Sequence, residues 1–386
     1  MAIAAGIGIG LAGLQIIPAR EFFSQSIRTY PLPYSWAAFG SYSWENLKQM
    51  IYPFILGGPL DYVGPSPNYG ELSAYVGIVP MLLTLFAIAF LFRKKFIISV
   101  LLLIACFGFW VSLGRNAQVD LNRILWETVP VYRYIRIPAR HLILLVFSLS
   151  LLSGFGLALF KKRLIQIVLV GFTVFDLLWF GRHFVTLKPD PSTRHNQTLV
   201  ATLKEDKELV RFLPNFNVGI GTRDALDFDA PMSYGIYSSS GYDPSILRNY
   251  YEFISAANGI KDPDVQQNDV QIPPLNPHTR AADFLNIKYF FVPSWRDSVG
   301  GESGRYRLVL EDAKRDYFRL YENQSVLPRF YLVSRATVLP DREAVAAAVR
   351  TGGVDFGSTV LITRAVDQYA GCDNRTLPAV EVLDYQ

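Results

Sequence analysis

Leu72-Ser-Ala-Tyr-Val-Gly-Ile-Val-Pro-Met-Leu-Leu-Thr-Leu-Phe-Ala-Ile-Ala-Phe-Leu-Phe92 carries no charge over 21 residues. Arg93-Lys94-Lys95 follows, and then a second apolar run, Phe96–Leu113. Roughly 20 apolar residues are enough for a helix to cross the hydrocarbon core of a bilayer. The pattern then repeats, because His141–Phe160 leads through Lys161-Lys162-Arg163 into Leu164–Phe180. Met1–Ile17 is a fifth apolar segment, without the basic start and small-residue cleavage site of a signal peptide. A soluble protein would have to bury every one of these runs, and the basic triplets between them argue for membrane helices instead.

The two shortest connections are wholly basic, which places them on the cytoplasmic side by the positive-inside tendency. Alternation then puts the N-terminus inside, loops 18–71 and 114–140 outside, and residues 181–386 in an extracytoplasmic domain. The expected fold is therefore a membrane α-helical domain of about five transmembrane helices over 1–180, followed by an α+β domain over 181–386. Charge agrees with this division. Residues 1–180 hold fourteen Lys and Arg against seven Asp and Glu, and the remainder holds 23 against 26. The loop 114–140 runs against the rule with Arg115, Arg123, Arg133, Arg136 and Arg140, a conflict that a ligand there would explain.

Composition excludes several classes. The 386 residues are 51% hydrophobic and 18% charged, with a mean hydropathy of +0.21, whereas soluble chains are about a quarter charged. An aromatic content of 14% removes disorder, collagen and coiled coil. Lys and Arg form no dense stripe, so nucleic acid is not an expected partner. Two cysteines, Cys106 and Cys372, make no disulfide framework.

In the second domain, β-branched and aromatic residues predict strands at Asn217–Phe228, Ile287–Val292, Arg305–Leu310, Tyr317–Tyr321, Arg329–Val333, Thr359–Ile362 and Ala379–Leu383. Helices are expected at Leu199–Leu213 and Asp341–Arg350, the latter opening on an acidic cap and stopping before Gly352-Gly353. Within the first external loop, Ser43–Ile55 suggests an amphipathic helix lying on the membrane with Ser43 as N-cap.

Candidate functional residues lie in the external loops. Arg133, Arg136 and Arg140, with Tyr132 and Tyr134 between them, sit just outside a span, at the depth of a lipid-linked phosphate. Guanidinium gives planar, bidentate phosphate recognition and stays charged when partly buried. Ordinary headgroup contact, or pairing with Asp120 and Glu127, is the structural alternative. Glu71 and Asp61 are the weak candidates for a catalytic base, Glu71 better suiting a helix N-terminus, where it complements the dipole. Asp176 lies inside an apolar run, where a carboxylate needs a hydrogen bond, water or a function. Gly8-x-Gly10-x-x-Gly13 matches a dinucleotide fingerprint as a string, but its apolar context fits helix packing better. The histidines show no ligand spacing, so no dedicated metal site is expected.

Several stretches together resemble the bacterial YfhO-like membrane proteins. These are Leu14-Gln15-Ile-Ile-Pro18, Glu71-Leu-Ser-Ala-Tyr75-Val-Gly77-Ile-Val-Pro80, Arg136-Ile-Pro138-Ala-Arg140, Ser240-Gly241-Tyr242-Asp243-Pro244, Leu285-Asn286-Ile-Lys288-Tyr289 and Tyr321-Glu-Asn323 with Leu327-Pro328-Arg329. The resemblance implies a GT-C-type glycosyltransferase of the plasma membrane. Such an enzyme moves sugar from a polyprenyl-phosphate donor to a cell-envelope polymer on the outer face. A divalent cation is a possible cofactor, and membrane lipid, the lipid-linked sugar and the envelope acceptor are the implied partners. GT-C proteins usually have eight or more spans and keep the catalytic carboxylate in their first external loop. The resemblance therefore covers a central-to-late portion of such a protein, and the catalytic acidic loop is expected to be missing. A non-catalytic, membrane-anchored protein that binds envelope polymer or a partner is the alternative function.

Overall fold

The computed structural model describes residues 2–30, 32–59, 61–65, 69–93, 95–185, 196–214, 226, 229–241, 245–263, 272–300, 304–313, 317–364 and 380. The chain divides into two units, residues 31–188 and residues 1–30 with 189–386.

Helix α1 (Ala2–Ser24) contains Pro18 and four glycines, and its described side chains are mostly exposed. After it, Ile27 N donates to Ile246 O at 2.9 Å and Arg248 N donates to Gln25 O at 2.8 Å. These bonds group residues 1–30 with 189–386, whereas the hydrophobic pattern alone assigns them to the run of spans.

The unit 31–188 is helical. It comprises α2 (Tyr34–Ala37), α3 (Tyr69–Leu72), α4 (Ile78–Leu91), α5 (Phe96–Leu113), α6 (Leu121–Thr128), α7 (Leu142–Leu157) and α8 (Arg163–Gly181). Three segments among the described residues are long and apolar enough to cross a membrane: Phe96–Asn116, Pro138–Leu157 and Arg163–Gly181. Helix α4 is apolar but has only 14 residues, so the uncharged stretch from Leu72 is not one continuous helix. The reason is local. Gly77 adopts φ +96°, which a right-handed helix cannot include, and helical structure resumes only at Ile78.

Close approach holds this bundle together. A Cβ on Gly156 of α7 would lie 1.9 Å from the Leu83 carbonyl oxygen of α4, and one on Gly108 of α5 would lie 2.7 Å from Leu144 Cβ. Thr84 Oγ1 donates to Leu149 O at 3.0 Å, a polar bond between α4 and α7. Without water to drive apolar surfaces together, such packing and interhelical hydrogen bonds are what associates helices in lipid. No residue of α8 is buried.

The expected amphipathic helix at Ser43–Ile55 is instead a 3-10 helix over Trp44–Met50, begun by Ser43 Oγ accepting from Glu45 N at 3.3 Å. Its buried face is polar. Asn46 Nδ2 donates to Gln49 Oε1 at 2.7 Å and to the Tyr62 hydroxyl at 2.6 Å, while Trp44, Ile51 and Tyr52 are exposed. Leu47 and Met50 pack toward the core of this unit, and Glu45 and Lys48 are exposed beside the outward aromatic and aliphatic residues.

In the second unit the order is α9 (Gln197–Glu205), β1 (Arg211–Pro214), α10 (Arg248–Ala257), α11 (Ala281–Phe284), β2 (Ile287–Pro293), β3 (Tyr306–Asp312), β4 (Phe318–Asn323), β5 (Arg335–Val338), α12 (Arg342–Arg350) and β6 (Thr359–Ile362). Strands β1 to β4 form a sheet in the order β1-β2-β4-β3, with β1 parallel to β2 and the other pairs antiparallel. Strands β5 and β6 pair in parallel across α12 as a βαβ unit. The sheet is covered on both faces. Leu213, Ile254, Phe290 and Val292 belong to one core, and Leu199, Phe212, Phe291 and Leu320 to the other. Successive β2 residues point to opposite sides, so Phe290 and Phe291 serve different cores.

The strands expected near 287, 305, 317 and 359 form, as does the helix before Gly352. The helix expected over Leu199–Leu213 stops at Glu205, because Arg211–Pro214 pairs with β2 and tertiary pairing overrides the helical pattern. Arg329–Val333 is not a strand, having no ladder partner among the described residues. The strands expected at Asn217–Phe228 and Ala379–Leu383 lie outside the described residues, apart from Leu226 and Val380.

Candidate functional site

Two 3-10 turns, Pro130–Tyr134 and Pro138–His141, carry Arg133, Arg136 and Arg140 up to the start of α7. Each turn opens on a proline, whose ring presets the φ that the first residue needs. Between them Ile137 adopts φ 66° and ψ 82°, a left-handed conformation that a β-branched residue rarely visits and that costs about 1–3 kcal/mol. The surroundings hold it there. Ile137 is buried, and its N–H donates to Ala37 O at 3.1 Å. His141 closes the second turn, with Nδ1 3.0 Å from Pro138 O. A carbonyl only accepts, so Nδ1 carries the proton and Nε2 accepts from the Tyr132 hydroxyl at 3.1 Å. The two rings also stack, at 14° between planes.

The three guanidiniums have different surroundings. Arg136 lies over the rings of Trp36 (5.2 Å) and Phe39 (4.7 Å), a double cation–π seat. Arg140 pairs with Glu71: Nη2 and Nε lie 2.5 and 3.2 Å from the same oxygen, Oε1. Arg133 is exposed. Thus a candidate base and a candidate phosphate ligand, 69 residues apart, meet directly.

The other acids have structural partners. Asp61 Oδ1 accepts from Gly58 N at 2.7 Å within an exposed turn. Asp120 caps α6 through Arg123 N (2.9 Å) and accepts from the Tyr34 hydroxyl (2.5 Å). Burial and that carboxylate push the Tyr34 phenol well above its ordinary value. Glu127 pairs with Arg123 at 2.9 Å.

Asp176, on α8, serves α4. Its Oδ2 accepts from the Ile78 N–H at 2.9 Å and its Oδ1 from the Tyr75 hydroxyl at 2.8 Å. The carboxylate fills the place of a side-chain N-cap that Gly77 cannot supply, so one otherwise unpaired donor at the start of α4 is satisfied from another helix.

Among the described residues no three His, Cys, Asp or Glu side chains gather as a metal site would require. The pair that does form, Glu71 with Arg140, is an ion pair rather than a cation-binding set. Tyr132, already evident between the arginines, joins the site through His141, and Trp36 and Phe39 complete it without any signal in the spacing. Trp36 and Phe39 lie about a hundred residues from the arginine they seat, so only the fold could reveal them.

Comparison with protein-family models, with curated proteins and with solved structures finds no match to this chain.

Proposed function

We propose that this chain is a multi-pass plasma-membrane protein of the YfhO-like, GT-C type. It binds the phosphate of a polyprenyl-phosphate-linked sugar at its arginine-bearing turns. The sugar then passes to a cell-envelope acceptor on the outer face. The observation that carries this reading is Arg136 and Arg140, held by aromatic rings and a carboxylate on the turn that runs straight into apolar α7. A lipid-linked phosphate needs cationic donors at the end of a span, and guanidinium is the side chain suited to it.

In the transfer, an acceptor hydroxyl attacks the anomeric carbon and the bond from that carbon to the phosphate oxygen breaks. The hydroxyl proton passes to a base, and the departing phosphate takes up the negative charge, which the arginines stabilise. Glu71 is the described carboxylate nearest to this role. It competes with the phosphate for Arg140, so donor binding would release it. Five spans with residues 181–386 outside the cytoplasm complete the reading, supported by the two basic triplets.

Replacing both Arg136 and Arg140 by alanine is expected to weaken binding of a polyprenyl phosphate by about 10- to 150-fold, from about 1.5–3 kcal/mol of lost charge-assisted bonding. Lysine should rescue only in part. Unchanged binding would remove the proposal. For orientation, single cysteines at 94 and 162 in a cysteine-free background should resist an impermeant thiol reagent in intact cells, and one at 250 should label.

The non-catalytic anchor is the second reading, favoured by Asp61 being committed to a turn and Glu71 to an ion pair. Glu71→Gln separates the two, since a transferase should lose turnover and an anchor has none to lose.

A further inference from the structure

The sheet-bearing unit has a cleft of about 630 Å³ between α10, α12 and the end of β6. It shares Glu252, Arg342 and Ala346 with an adjoining cleft of about 240 Å³. The larger volume falls in the range of small-molecule sites, roughly 300–1,000 Å³.

Its two surfaces differ in chemistry. Phe253 of α10 and Val345, Ala346 and Val349 of α12 give an apolar floor. Positions 345, 346 and 349 share one face of α12 by helical spacing. The rim is polar and planar, with Asn249, Arg342 and Arg364. Arg342 is set in place, and Arg364 is exposed. Glu252 accepts from the Tyr30 hydroxyl at 2.6 Å, Arg248 Nε at 2.7 Å and Arg342 Nη2 at 3.3 Å. Burial pushes the Glu252 carboxyl up, but Tyr30 and the two arginines outweigh it and keep it ionised. Each guanidinium has five N–H donors, so one bond to Glu252 leaves most of them for a ligand. Across both clefts the described lining includes five basic side chains (Arg248, Lys261, Arg342, Arg350, Arg364) against three acidic ones (Glu252, Asp262, Glu343).

An apolar floor suits the C–H face of a sugar ring, planar amide and guanidinium groups suit its hydroxyls, and the cationic surplus calls for negative charge. We propose that this cleft binds a saccharide bearing a carboxylate or phosphate group, with the ring over Phe253 and Ala346 and the anion on Arg342 and Arg364. The site lies in the other unit from the arginine-bearing turns and does not depend on their function.

The test is calorimetric titration of the purified full chain in detergent with four probes: trigalacturonate, glucose 1-phosphate, maltotriose and inorganic phosphate. At least one anionic saccharide should bind about tenfold or more tightly than both maltotriose and inorganic phosphate, a difference of about 1.4 kcal/mol. Which of the two does so identifies the anion. Arg364→Ala, on the exposed rim, should weaken that binding about tenfold with unfolding unchanged, and Ala346→Glu should abolish it. The proposal is overturned if neither anionic saccharide outbinds maltotriose and phosphate, or if both variants bind as the parent does.

Discussion

Phe175 on α8 and Phe290 on β2 are the same residue in opposite settings. Phe175 is 70% exposed in a helix that buries nothing, and Phe290 is fully buried between a sheet and its helices. In the sheet-bearing unit apolar residues point inward, and charged side chains form networks outside them, such as Lys288 with Asp206 and Glu208. In the helical unit apolar side chains also cover the outside, and at the helix contacts buried side chains such as Leu91, Ile98, Leu101 and Leu152 share the space with small residues and a few hydrogen bonds. Burial of apolar area stabilises the first arrangement. The second fits a surrounding as apolar as the side chains themselves, where close packing decides instead.

The sharpest break of this contrast is a pair of truncations. Phe290→Ala should destabilise its unit by about 3–5 kcal/mol in denaturant unfolding, the usual cost of emptying a core aromatic site. Phe175→Ala should stay within about 0.5 kcal/mol, as exposed substitutions do. Equal losses would mean that Phe175 is covered.

A second pair concerns packing in the helical unit. Gly156→Leu forces a side chain into the Leu83 carbonyl and should cost about 3 kcal/mol in thermal unfolding in detergent. Gly154→Leu, where a Cβ meets nothing within 4 Å, should leave the midpoint almost unchanged. If both behave alike, α4 and α7 do not approach as described.

Asp176→Ala is expected to cost about 1–3 kcal/mol by leaving the Ile78 N–H and the Tyr75 hydroxyl without their acceptor. A functional carboxylate would show the reverse pattern, with activity lost and stability kept.

The smallest effect is one of pH, in the sheet-bearing unit. Burial pushes the carboxyls of Asp206 and Asp297 up, yet their hydrogen bonds prevail and hold both below the ordinary carboxylate value. Lys288, the Glu208 amide and Tyr289 do this for Asp206, and Tyr321, two backbone amides and Arg319 do it for Asp297. A folded pKa below the unfolded one stabilises above the unfolded value, about 4, and that gain is lost as pH falls through the folded value. The denaturant midpoint of this unit should therefore drop between pH 5 and pH 2, by about 1 kcal/mol or less after solvent screening. A midpoint flat over that range would contradict the assignment.

Much of the fold was legible because its signals are local. Apolar runs of 17 to 21 residues, basic triplets, β-branched stretches and the acidic start of α12 are all read within one window of chain, although the longest run, from Leu72, is interrupted at Gly77. The failures arose where a distant partner decided. The helical pattern through Leu213 yielded to pairing with β2, and Arg329–Val333 reads as a strand but lacks a neighbour among the described residues. At the candidate site the arginines were evident from their position beside a span, but their aromatic seats were not.

The sequence alone determined that apolar helices precede a charged, strand-bearing region, since hydropathy and charge are properties of neighbouring residues and need no partner. Only the tertiary structure decided what the isolated polar groups do. Glu71 meets Arg140 across 69 residues, and Asp176 caps α4 across 98. A charge in an apolar setting must find a partner, but which partner depends on how the helices pack, and no spacing along the chain encodes that.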